Sequence, residues 1–143
     1  PLLINARAET IAEKPAFRDA ARARRCLIPA DGIYEWQGEK GGRIPCLIRP
    51  RAGGPIAFAG VWQEWGPPAE RILTCAIVTC AANATLAPIH DRMPVVIAPA
   101  DFALWLGEAG RGAAPLMAPA PDEALVATPA DEEIRRILAR RGG

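Results

Sequence analysis

Between Cys26 and Cys80, apolar residues come in short, partly alternating runs separated by clusters of glycine, proline and charge, a pattern that predicts antiparallel strands. The runs fall at 26–28, 33–36, 44–48, 56–62 and 72–80, with turns expected at 38–42 and 52–55. In the fourth run Ile56, Phe58 and Trp62 share one face, and Ala57, Ala59 and Val61 share the other. Residues 72–80 are apolar on both faces, which predicts a central strand.

Other periods flank these strands. Residues 6–25, rich in alanine, read as a helix interrupted near Lys14 and Pro15. Its six basic residues, Arg7, Lys14, Arg18, Arg22, Arg24 and Arg25, form either a phosphate-facing surface or an ordinary solvated face. Residues 83–89 give a helical turn or loop, and 95–98 a strand bounded by Pro94 and Pro99. Phe102, Trp105 and Leu106, at helical spacing, predict an amphipathic helix over 101–107 that stops at Gly107. Residues 110–121 should be irregular. A last helix is expected to start at Thr128-Pro129-Ala130-Asp131 and to bury Ile134, Ile137 and Leu138. Without an internal repeat or a linker-like stretch, residues 1–143 read as one α+β domain on a mostly antiparallel sheet.

Composition narrows the chemistry. The 143 residues are half hydrophobic, enough for one core without disulfides or a structural metal. Seventeen basic against sixteen acidic residues leave a net charge of +1, so any nucleic-acid surface must be local. The four cysteines form no C-x-x-C pair and there is one histidine, which argues against zinc or any other metal. Cysteines scattered through apolar runs suit small buried hydrophobes in a reducing, cytoplasmic setting. No apolar run approaches the roughly 20 residues that span a bilayer. The chain opens on Pro1 instead of Met, which reads as a cut end.

Three stretches are more polar than their surroundings require: 4–10, 31–36 and 89–94. In the second, Glu35 lies in an aromatic strand-like run, where partial burial would suit it to proton transfer and full exposure would make it an ordinary strand glutamate. His90, the one histidine, sits in a loop ahead of Asp91 and Arg92, as a catalytic imidazole or as a satisfied hydrogen-bonder. Asn5 can donate and accept at once, and Arg7 and Arg92 can each hold a phosphate, or serve as cap and surface ion pairs. Trp36 offers a stacking face for a base, or packs in the core. G-x-S-x-G, H-E-x-x-H, P-loop and G-x-G-x-x-G patterns are absent.

In this order, I-N-A-R-A-E-T, R-R-C-L-I-P-A-D-G-I-Y-E-W, I-V-T-C-A-A-N and I-H-D-R-M-P resemble the SOS-response-associated peptidase (SRAP) family, from Pro1 to about Leu106, with 107–143 divergent. The resemblance implies an SRAP-like fold, a barrel-like, mostly antiparallel sheet with short flanking helices and its amino-terminal part missing. It also implies a DNA-damage sensor whose partner is single-stranded DNA with abasic sites, needing no cofactor, cytoplasmic and nucleoid-associated when bound. In that family an amino-terminal cysteine captures the open sugar aldehyde, its amine through a Schiff base and its thiol by closing a thiazolidine. Mapped here, Asn5, Glu35 and His90 become the catalytic set: Asn5 to position the sugar or amine, Glu35 to shuttle protons, His90 to promote ring opening. Arg7, Trp36, Arg92 and Met93 become the DNA-contacting set.

The family's Met-Cys-Gly-Arg start has no counterpart in this sequence, and Cys26, internal and without a free amine, cannot replace it. Whether the chain is itself an enzyme, as cross-linker, lyase or remover of its own initiator methionine, therefore stays open at this point. So does a non-covalent module for single-stranded or junction DNA. A general peptidase, suggested by the family's name, lacks a Cys-His or Ser-His signature. Loss of amino-terminal strands should expose an apolar sheet edge and favour self-association; the oligomeric state is otherwise unread.

Overall fold

In a computed structural model, the described residues are 3–39, 42–132, 134, 136 and 137. The longest strands are β5 (Ile56–Trp65) and β6 (Ile72–Ala81), which pair antiparallel. On its other side β6 takes β1 (Asn5–Arg7) in parallel, and near its end β7 (Arg92–Pro94) antiparallel. Beyond β5 lies β2 (Arg25–Ala30), so the first sheet runs β1-β6-β5-β2 with β7 also on β6. A second sheet holds β3 (Ile33–Gln37), β4 (Ile44–Pro50) and β8 (Leu125–Pro129), in that order and antiparallel.

Residues Asp31 and Gly32 hand the chain from one sheet to the other. A Cβ at Gly32 would stand 2.7 Å from the Ile48 carbonyl oxygen, so only glycine lets the crossing backbone lie against β4. Ile48 and Leu125 from the second sheet join Ile56, Phe58, Val61, Val78 and Trp105 in one core cluster. Two helices flank it, α1 (Arg18–Ala23) and α2 (Phe102–Leu106). The latter ends at Gly107 with φ +84, a left-handed cap that glycine adopts without strain. The structure is thus α+β and mostly antiparallel, as the strand-like runs predicted.

Several expectations are corrected. Two separate sheets replace the barrel-like closure: among the described residues no strand pairing joins them, because β2 pairs only with β5 and β3 only with β4. Helix does not begin at Ala6. Residues 5–7 are β1, residues 8–17 form mostly turns, and α1 covers only Arg18–Ala23, with Arg25 opening β2. Residue 95 and its followers give a single bridge, Phe58 to Val96, and the strand sits earlier as β7. The sequence Thr128-Pro129 closes β8 instead of capping a helix. Helical turns begin at Asp131, and Ile134 and Ile137 are half-buried there, while Leu138 lies outside the described residues. Central as β6 is, its first half is not buried: Ile72 and Leu73 are exposed. Pro1 and part of the turn at 38–42 also lie outside the described residues.

Among the described residues no helix is long and apolar enough to cross a membrane, and no group of three or more His, Cys, Asp or Glu side chains is placed to hold a metal ion.

Candidate functional site

The parallel β1–β6 pairing aligns Asn5 with Ile77 and Arg7 with Thr79. Strand alternation buries Ala6 and turns Asn5 and Arg7 to the exposed face. The Ala8 amide continues the ladder by donating to the Thr79 carbonyl at 2.8 Å, which carries Glu9 over the end of β6. There Glu9 meets Arg92 of β7, whose two terminal nitrogens donate to its two carboxylate oxygens at 2.8 and 2.9 Å. Arg92 also donates to the Thr79 carbonyl at 2.8 Å and to the Thr79 hydroxyl at 3.1 Å, while its buried Nε has no partner.

This clamp gives Arg92 a structural duty: its terminal nitrogens donate to Glu9 and Thr79, so it braces the site. The bidentate hydrogen bond holds the Glu9 carboxyl at about 2 instead of 4.5, and raises the Arg92 guanidinium still further. Glu9 was not singled out from sequence, because its partner is 83 residues away.

His90 is held by the same residue. The Arg92 amide lies 3.0 Å from His90 Nδ1, the Arg92 carbonyl oxygen 3.0 Å, and an Asp91 carboxylate oxygen 3.3 Å. A neutral imidazole accepts there from the amide, with its proton on Nε2. A protonated one donates to the carbonyl or the carboxylate. The ring has a partner in either state and stays exposed to solvent, as a group that gives and takes a proton requires.

The histidine loop is tied down by Asn83, the one buried polar residue among those described. Its Nδ2 donates to the Ala120 carbonyl at 3.0 Å and to the Pro121 carbonyl at 3.3 Å, and its Oδ1 accepts from the Leu86 amide at 3.0 Å. Asp122 accepts from the Ala84 amide at 2.8 Å, and the His90 amide donates back to Leu86 at 3.0 Å. Sequence reasoning assigned Asn83 no role, although it ends the I-V-T-C-A-A-N stretch that precedes the loop. Burial of a polar side chain is the signal, and it is visible only in the fold.

Glu35 comes from the other sheet. It is half-buried on β3, paired with Cys46 of β4. Gln37, two residues on and on the same face, donates to the Pro88 carbonyl at 3.4 Å, which links β3 to the histidine loop. That puts Glu35 roughly 7 Å along the strand from the linking residue. Trp36 points to the opposite face and is 46% exposed, so it offers a ring to solvent instead of packing in the core. Met93 is corrected in the other direction. It is 1% exposed, and its sulfur receives the Asn83 amide at 3.3 Å, so it anchors the loop and presents no surface to DNA.

The contacts therefore assemble Arg7, Glu9, Thr79, His90 and Arg92 around one end of β6, and bring β3 to the same loop. Among the described residues no hydrogen bond or ion pair joins Asn5, Glu35 and His90 directly. Of the thiols, Cys46 and Cys80 are buried, Cys26 is partly buried and Cys75 is exposed, so the expectation of four buried cysteines fails at Cys75. Burial pushes the Cys26 and Cys80 thiols up, which disfavours the thiolate.

Comparison with known proteins identifies the family and the fold. The family model described as SOS response associated peptidase (SRAP) matches residues 1–137, past Leu106. The abasic site processing protein YoqW of Bacillus subtilis (strain 168) is 42% identical over 106 residues, covering 73% of this chain and 47% of that protein. YedK of Escherichia coli (strain K12), named likewise, is 38% identical over 109 residues, 74% of this chain and 48% of its own length. The chain thus spans about half the length of these curated relatives. Among solved structures, a Bacteroides thetaiotaomicron protein superposes with a TM-score of 0.81 at 31% identity, covering 87% of this chain and 57% of that one. A Bordetella bronchiseptica protein gives 0.75 at 29%, covering 87% and 64%.

Proposed function

The chain belongs to the SOS response associated peptidase (SRAP) family, and from that premise we propose that it forms part of a DNA-damage-response protein that handles abasic sites in single-stranded DNA. The observation that carries this reading is His90, exposed and with its Nδ1 3.0 Å from both the amide and the carbonyl oxygen of Arg92, beside the Arg92–Glu9 clamp. The relatives named abasic site processing proteins support the substrate class.

Opening the hemiacetal of an abasic sugar needs a proton taken from the C1′ hydroxyl and one given to the ring oxygen, and an imidazole that can do either is suited to it. In this reading Asn5 orients the sugar and Glu35 moves protons when the freed aldehyde condenses with an amine. Arg7 faces a phosphate and Trp36 stacks under a base. The amine-and-thiol pair that closes a thiazolidine is not supplied by Cys26, which is internal and whose thiol is pushed up by burial. In this reading the residues named here serve binding and proton transfer, and covalent capture requires the amine and thiol of an amino-terminal cysteine.

Electrophoresis with abasic oligonucleotide tests this directly. The 143-residue chain is expected to retard abasic single strands under native conditions, to leave no adduct after denaturation, and to bind duplex of the same sequence at least tenfold more weakly. Equal affinity for duplex, or no retardation at all, would sink the reading. Binding should weaken with salt, by about 0.7 in the log–log slope for each phosphate neutralised.

A further inference from the structure

A cavity of about 610 Å³ opens between α1, the start of β2, the end of α2 and the glycine-rich segment after it. None of the residues assigned above to the abasic site lines it. Its wall carries three arginines, Arg22, Arg25 and Arg111, and no acidic side chain. The rest is apolar or glycine, with Ile11, Ala113 and Met117 among the lining residues. A chain of net charge +1 has no general excess of positive charge, so three guanidiniums and no carboxylate lining one hollow make a local positive field.

The three arginines differ in what they have left to offer. Arg25 is consumed by structure: it donates to the Trp105 carbonyl, to the Ala21 carbonyl at 3.0 Å and to the Arg22 carbonyl at 3.1 Å, and its guanidinium lies 5.7 Å from the Trp105 ring centroid. Those partners are neutral, so its charge still faces the cavity uncompensated. Arg22 and Arg111 are exposed, and their side chains form no hydrogen bond or ion pair among the described residues. Gly110 and Gly112, at φ +95 and +106, flank Arg111 in conformations that other residues resist.

We infer that this cavity is a second anion site, one that takes the phosphate ester of a nucleotide-sized ligand between Arg22 and Arg111. Two guanidinium forks match the several acceptor oxygens of a phosphate better than a single carboxylate, and the apolar walls suit the organic body of an ester. The volume lies in the range of sites for small organic ligands. The phosphate has two sources, a free mononucleotide or the phosphorylated end of a DNA strand, and the inference stands without the abasic-site reading.

Calorimetric titration with adenosine 5′-monophosphate, using adenosine as the control, tests it. Saturable binding of the phosphate ester at least tenfold tighter than adenosine is expected, weakened at least tenfold in both Arg22→Gln and Arg111→Gln. Both residues are exposed, so an unchanged thermal melt shows that these variants fold. Absence of binding, equal binding of adenosine, or parental affinity in both variants overturns the inference. A 5′-phosphorylated oligonucleotide that outcompetes its hydroxyl-ended twin, only when Arg111 is present, assigns the phosphate to a strand end. Competition by the mononucleotide alone assigns it to a free ligand. Retardation of hydroxyl-ended abasic DNA should be the same in Arg111→Gln as in the parent, so failure here and failure of the abasic reading are separately visible.

Discussion

Glu9 and Arg92, 83 residues apart, meet in a two-pronged ion pair at 2.8 and 2.9 Å, and through it the turn after β1 is fastened to the strand that follows the histidine loop. Because Arg92 also binds Thr79 of β6 and its amide faces His90, one guanidinium-bearing residue touches three of the elements that shape the site.

That pair should make stability depend on acidity in a defined window. The Glu9 carboxyl is held at about 2 in the folded chain against 4.5 when free, so between those values the unfolded state binds a proton that the folded state does not. The contribution is complete above about pH 4.5 and is lost as pH falls toward 2. Urea titrations of parent and Glu9→Gln should differ most above pH 4.5 and converge near pH 2. The gap should narrow in high salt, since Glu9 is half exposed. A gap independent of pH would show that the pair contributes packing only.

Asn83 should matter for the histidine loop out of proportion to its size. Asn83→Ala removes two donated bonds and one accepted bond from a buried position, leaving the Ala120 carbonyl without its donor and the Leu86 amide with only its 3.2 Å bond to the backbone carbonyl of residue 83. A loss of about 2 kcal/mol in chemical denaturation is expected, chiefly from the unsatisfied buried carbonyl. Amide exchange should quicken at Leu86 and His90 before it does in β5. If exchange rises uniformly, Asn83 supports the whole core and not the loop.

Strands β2 to β6 are legible in the sequence because each is a short apolar or alternating run bounded by glycine, proline or charge. What stayed hidden depended on distant partners. Residues 5–7 sit in an alanine- and arginine-rich stretch that favours helix locally, yet pairing with residues 77–79 makes them a strand. The Thr128-Pro129 pair looks like a helix start, and becomes the end of an edge strand because β4 offers it a ladder. For the site, residue types at 5, 35 and 90 could be read from motifs. The duties of Glu9, Asn83 and Met93 could not, since each is set by a contact across the fold.

The two best-placed tryptophans should behave oppositely. Trp36 is 46% exposed, so Trp36→Ala should lower the melting temperature far less than loss of a core residue does, while weakening abasic single-strand binding roughly tenfold, the worth of one stacked base. Trp105 is 1% exposed and its indole donates to the Cys26 carbonyl at 2.8 Å. Trp105→Phe should therefore cost about 2 kcal/mol of stability, from a lost buried bond and a cavity, with little direct effect on DNA. Anisotropy and thermal melts on the two variants separate these effects, and a Trp36 variant that melts early but binds normally would reverse the assignment.

The thiols give a test of which cysteine has nucleophilic freedom. Cys75 is the exposed one, Cys46 and Cys80 are buried, and Cys26 lies partly buried on β2 with its thiol pushed up by desolvation and by neighbouring Cys75. Alkylation follows thiolate fraction and access together, so iodoacetamide at neutral pH should modify Cys75 first and Cys26 much more slowly. Cys46 and Cys80 should react only on unfolding. Peptide mass spectrometry after timed quenching reads this order. Cys75→Ser should abolish the fast phase without changing retardation of abasic DNA, because nothing in the proposed chemistry uses that sulfur. Were Cys26 to react first, and were an abasic strand to protect it, an internal thiol would have to be admitted to the mechanism, and the assignment of covalent capture to an amino-terminal cysteine would fall.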